Sequence, residues 1–174
     1  MKPNNTNWIF VFLLVFTYCT DNKSYDHDNN TFVESFNEPE VQLPINGDIQ
    51  YYSTKSLSEA TLTIKVPSGD RSTYVKLKDA IYKTDVLSVF IRAGKTVTIK
   101  MPLGSYKLNY ANGKKWYGTE FLFGPNTSYN ATDDVFKFER TTDQNYEYFS
   151  QWTVELIMQQ QGNLQTRKIN PRDF

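Results

Sequence analysis

The stretch "VTIKMPLGSYKLNYANGKKWYG", residues 97–118, carries two apolar alternations separated by a turn. Val97, Ile99 and Met101 fall on one face, "PLGS" (102–105) supplies a reversal, and Tyr106, Leu108 and Tyr110 resume the alternation. Successive side chains of a strand point to opposite faces, so this spacing reads as half-buried β structure. Asn112-Gly113 then reads as a two-residue type I′ turn, which wants positive φ at both central positions. In that register Ala111 faces Lys114, Tyr110 faces Lys115, Asn109 faces Trp116 and Leu108 faces Tyr117. Tyr117 would join Tyr106, Leu108 and Tyr110 on the apolar face, and Trp116 would fall on the polar side beside Lys107 and Asn109.

The same period recurs on either side. Leu62, Ile64 and Val66 alternate with Thr and Lys, and Val75 and Leu77 oppose Lys76 and Lys78. "VLSVFIR" (86–92) is apolar on both faces, as a central strand would be. Further runs lie at 135–140, 149–159 and 164–169, and Gly or Pro punctuates the gaps at 67–72, 92–95 and 161–163. No interval offers a helix of useful length. The expected fold is all-β: an antiparallel β-sandwich or small barrel of about eight strands, occupying residues 51–174. The composition agrees, with 16% aromatic residues from 12 Tyr, 12 Phe and 3 Trp.

Ahead of the domain come two segments of different character. Residues 1–19 have a weakly basic start and the apolar run Trp8–Tyr18, too short to span a bilayer but the right length for the core of a signal peptide. Residues 20–50 form an acidic, flexible linker, where seven acids oppose Lys23 alone in positions 21–50. From residue 51 onward 17 Lys and Arg stand against 12 Asp and Glu, spread over many strands, so no basic face for nucleic acid is implied.

Cys19 directly after the apolar run resembles the acylated cysteine of bacterial lipoproteins. That family prefers a small residue before the cysteine and an aliphatic one three before it, where this chain has Tyr18 and Phe16. The resemblance implies a lipid anchor on Cys19 and a membrane-tethered envelope protein. Cleavage near Thr17 or Cys19 without acylation would instead give a secreted or periplasmic protein, and an uncleaved segment would itself be an anchor.

Cys19 is the one cysteine and His27 the one histidine, both outside the expected domain. This removes an internal disulfide, a Cys/His zinc cage and a histidine-based nucleophile pair from the core. Gly94 and Gly104 lie in hairpin turns and make no phosphate loop. No metal and no cofactor are implied. The candidate site is the long aromatic connection "GTEFLFGPNTSYNATDD" (118–134), because connections of this length tend to be functional or disordered. Folded back over Trp116, it would merely close one side of the sandwich. Used as a binding platform for a protein or polysaccharide, it would stack Trp116, Tyr117, Phe121 and Tyr129, with Asn126 and Asp133 or Asp134 making polar contacts. A less favoured reading is a glycan hydrolase using Glu120 with Asp133 or Asp134, which would need the carboxylates about 5 to 10 Å apart. A spacer without ligand is the third.

The run "VKLKDAIYKTDVLSVFIRAGKTVTIKMPLGSYKLNYANGKKWYG" (75–118), with "LPINGDIQ" (43–50), "LFGPNT" (122–127) and "INPRDF" (169–174), resembles a small bacterial carboxyl-terminal β domain found in exported or membrane-tethered proteins. "GKTVTIKMPLGSYKL" is more loosely similar to the closing strands of prealbumin-like sandwiches, such as carboxypeptidase regulatory domains and collagen-adhesin B repeats. The looser resemblance implies a docking or spacer module that is not itself an enzyme, and the closer one brings no activity and no catalytic residues with it.

Overall fold

The computed structural model describes residues 36–156 and 165–174. The expected signal segment, Cys19 and the first part of the linker lie outside the described residues, as do the end of the run at 149–159 and the turn at 161–163. Twelve strands are present among the described residues: β1 Asp48–Tyr51, β2 Thr61–Lys65, β3 Ser72–Asp79, β4 Asp85–Ile91, β5 Thr96–Lys100, β6 Gly104–Gly113, β7 Ser128–Thr132, β8 Phe136–Phe138, β9 Arg140–Thr142, β10 Glu147–Phe149, β11 Gln151–Glu155 and β12 Thr166–Lys168. The excess over eight comes largely from three-residue pairings.

The large sheet runs β1-β4-β3-β6-β7-β12, with β8 also on β6, and all its pairings are antiparallel. A smaller sheet runs β11-β2-β5, in which β11 lies parallel to β2. Both sheets are open, so the fold is a sandwich and not a barrel. The main core lies between them, built by alternate residues: Leu62, Ile64, Ile99 and Val154 from the small sheet, and Val75, Leu77, Leu87, Val89, Ile91, Tyr106 and Leu108 from the large one. Each fully buried aliphatic side chain contributes about 1.5–3 kcal/mol. As the two-sided apolarity of 86–92 implies, β4 is central, between β1 and β3.

A second apolar cluster covers the opposite face of the large sheet. Tyr74, Phe90 and Ala111 project from β3, β4 and β6, and Trp116, Leu122, Phe123 and Phe174 pack onto them. Three non-strand segments form this cover: residues 36–47, the connection 114–127, and residues 169–174. Residues 36–47, expected to be linker, accordingly pack on the sheet as part of the folded unit. Leu43 joins the cluster, Val41 bridges to Trp116, and Arg92 fixes the strap by donating from Nε to the Pro44 carbonyl (2.8 Å) and from Nη2 to the Leu43 carbonyl (3.1 Å).

The hairpin expected at Asn112-Gly113 does not form. Both residues stay in β6, where Asn112 pairs with Thr73 and Ser128 and Gly113 pairs with Ser72, and neither has positive φ. Gly113 answers a packing demand instead: a Cβ there would lie 2.1 Å from the Cβ of Phe123. Trp116 therefore does not face solvent opposite Asn109. It is 3% exposed, inside the second cluster. Tyr117 likewise leaves the face of Tyr106, Leu108 and Tyr110, which belongs to the main core.

Candidate functional site

The 118–134 region is ordered along most of its length by its own hydrogen bonds. A one-turn helix, α1 (Gly118–Phe121), leads through Leu122 in a left-handed conformation (φ 51°) to a 3-10 turn at Gly124–Asn126 and then into β7. Thr127 fixes the 3-10 turn: its Oγ1 accepts from the Phe123 amide (3.1 Å) and donates to the Gly124 carbonyl (2.6 Å). Gly124 needs both its positive φ of 66° and its lack of a side chain, since a Cβ would approach the Tyr117 ring to 2.9 Å and Phe36 to 3.1 Å. Arg71 ties the turn to β6, its Nη2 donating to the carbonyls of Asn112 (3.0 Å) and Asn126 (3.4 Å).

The residues expected to make one platform are dispersed to five places. Trp116 is core, with ring centroids 5.0 Å from Phe90 and 5.1 Å from Phe123. Tyr117 and Phe121 form a surface cluster with Phe36, which meets them edge-on at 4.9 and 5.9 Å. The chain's own Phe36 thus occupies the aromatic surface that a ligand was expected to use. Asn126 is exposed on the 3-10 turn, and Tyr129 stands on β7 against Phe174 (5.3 Å). Asp133, just beyond β7, accepts from Arg167 Nε at 3.0 Å. Glu120 lies on α1, which precedes β7 in the chain, and Asp133 follows β7.

What the fold does build is an open cleft of about 520 Å³ lined by Gly124, Pro125, Thr127, Ser128, Tyr129, Lys168, Ile169 and Pro171. Its floor is β7 and the end of β12, and its walls are the 3-10 turn and the start of the carboxyl-terminal segment. The Ile169 amide donates to the Tyr129 carbonyl (3.1 Å), so the two walls are joined through the sheet. Two prolines and a tyrosine give rigid apolar surface, while Ser128 and exposed Lys168 give polar contacts. Of the expected residues only Tyr129 lines it. Lys168, Ile169 and Pro171 come from a segment remote in sequence, and of them only Ile169 and Pro171 stand in a quoted landmark of the resemblance, "INPRDF" (169–174).

The hydroxyls buried on the covered sheet face bond to one another, whereas Arg71 Nε at the edge of the cover is buried without a partner. Tyr74 Oη donates to Ser88 Oγ (2.7 Å), which also lies 2.9 Å from Tyr52 Oη. Burial pushes the Tyr74 hydroxyl up to about 12, outweighing the opposing effect of Ser88. Lys115 is held above the ordinary lysine value by its hydrogen bond to Glu40 on the strap. Among the described residues no group of three or more His, Cys, Asp or Glu side chains converges on a point.

The fold and cleft together define a β-sandwich module with an open cleft at the large sheet's β7-β12 edge. No protein-family model, curated protein or solved structure matches this chain.

Proposed function

We propose that the protein is a non-catalytic module of the bacterial cell envelope, exported by residues 1–19 and held to the membrane through a lipid on Cys19, that binds a glycan or a protein segment. The observation that carries the binding role is the cleft between Pro125 and Pro171. Its volume falls in the range of small-ligand sites, and it offers an open, pre-ordered lining in which apolar and polar groups are mixed. Preorganisation matters because a ligand then meets walls that need not be ordered on binding. Tyr129 and the prolines suit the flat faces of a sugar or the side chains of an extended peptide, with Ser128 and Lys168 fixing orientation.

The test is retention of the full chain on immobilised envelope polysaccharides and peptide libraries, compared with a Lys168→Ala/Pro125→Ala variant. Both side chains are exposed, so folding should be unaffected. Binding weakened about tenfold or more in the variant supports the cleft. Equal binding removes it. Release of reducing ends from a glycan, abolished by Glu120→Gln, would replace a binding module with a hydrolase. Metabolic labelling with a fatty-acid analogue, lost in Cys19→Ser, tests the anchor separately.

A further inference from the structure

At the end of the sandwich formed by the β3-β4 turn, the two most exposed large hydrophobic residues described in the molecule are adjacent: Ile81 at 76% and Tyr82 at 75%. They are held out rigidly. Asp79 Oδ1 accepts from the amides of both Ile81 (2.9 Å) and Tyr82 (3.1 Å), and the Asp79 amide donates to the Thr84 carbonyl (2.9 Å). Lys83 closes the turn in a left-handed conformation (φ 61°) that an L residue with a side chain seldom adopts. The Ala80 amide donates to the Ser105 carbonyl (2.9 Å), which fastens the turn to the start of β6.

Lysines collar this tip. Lys83 is in the turn, Lys78 and Lys107 are cross-strand neighbours just behind it, and Lys55 bonds Asp79 at 3.2 Å. Lys55, Lys76, Lys78, Lys83 and Lys107 stand against Asp79, Asp85 and Asp173: Asp79 pairs with Lys55, Asp85 with Lys76 (3.4 Å) and Lys78 (3.7 Å), Lys78 also donates to the Asp173 carbonyl (3.4 Å), and Lys83 Nζ donates to the Ala80 carbonyl. The cations therefore exceed the acids at the base of an apolar point.

We propose that the Ile81-Tyr82 turn is a membrane-contact tip that inserts into the interface of an anionic lipid bilayer. A two-residue point is far smaller than the roughly 800 Å² per partner of a stable protein interface. A bilayer interface accepts a point of this size, with the isoleucine reaching the acyl boundary, the tyrosine at headgroup depth and lysines against anionic headgroups.

The experiment is partitioning of the full chain onto vesicles of phosphatidylcholine alone and of phosphatidylcholine with phosphatidylglycerol in equal parts. Any contribution of the apolar run Trp8–Tyr18 is common to all variants. Ile81→Ser/Tyr82→Ser should lower partitioning onto the anionic vesicles about tenfold with an unchanged thermal midpoint, and Lys83→Glu/Lys107→Glu should remove the preference for anionic lipid. In Tyr82→Trp, the added indole fluorescence should be quenched by brominated acyl chains. Equal partitioning of wild type and the serine variant, an unquenched indole, or dependence of a protein partner on the turn without any effect on vesicles would each overturn the proposal.

Discussion

Phe123 sits directly on Gly113, so that the hydrogen of that glycine occupies the space where any other residue would drive a Cβ to 2.1 Å from the Cβ of Phe123. Backbone conformation does not require glycine here, because φ at Gly113 is not positive. An unstrained Gly→Ala change usually stabilises slightly by restricting the unfolded chain, and the sign therefore rests on space alone. Gly113→Ala should destabilise by about 1–3 kcal/mol or more, read by urea denaturation. Adding Phe123→Ala should not relieve the clash, since alanine keeps the offending Cβ. A double variant with Phe123→Gly should relieve part of it.

Trp116 and Phe121 are five residues apart and should behave oppositely. Trp116 is buried among Tyr74, Phe90 and Phe123, and Trp116→Ala should cost about 3–5 kcal/mol. Phe121, 37% exposed, touches Phe36 at the surface, and Phe121→Ala should cost under about 1 kcal/mol. Denaturant midpoints of the two variants check this. Similar losses would mean that the surface cluster and the second core are one cooperative unit.

The period-two runs foretold the sandwich because strand faces are written locally: Leu62, Ile64, Val75, Leu77, Tyr106 and Leu108 each appear where alternation places them. What was not legible depended on contacts between remote segments. Asn112-Gly113 carries the chemistry of a tight turn, yet the glycine serves close packing against a residue ten positions later. Trp116 was assigned to the polar side by a register that assumed this turn, and the error followed from the turn and not from the alternation. Residues 36–47 look like linker because they are acidic and lack period, but Leu43 and the carbonyls held by Arg92 make them part of the cover. The cleft was half visible: Tyr129 stood in the expected loop, whereas Lys168 and Pro171 reach it only through the β7-β12 pairing.

Asp79 should give the fold an acid-sensitive element. The amides of Tyr82 and Ile81, and then the Lys55 ammonium, hold its carboxyl below the ordinary aspartate value. In the unfolded chain that value returns to about 3.9. Above the unfolded value both states are ionised and the native hydrogen bonds contribute fully. As pH falls below it, the unfolded state takes up the proton first, so stability drops until the folded carboxyl is also protonated. Asp79→Asn retains one carbonyl acceptor for the turn but loses the charge. Hydrogen bonds to a charged group are worth about 1.5–3 kcal/mol against about 1 for neutral ones, so the variant should be less stable at pH 7 by about 1–2 kcal/mol. The gap should close as the pH is lowered from 5 to below 3. Thermal midpoints measured across that interval test the account, and a gap that stayed constant down to pH 2 would show that the carboxylate's charge takes no part in holding the turn.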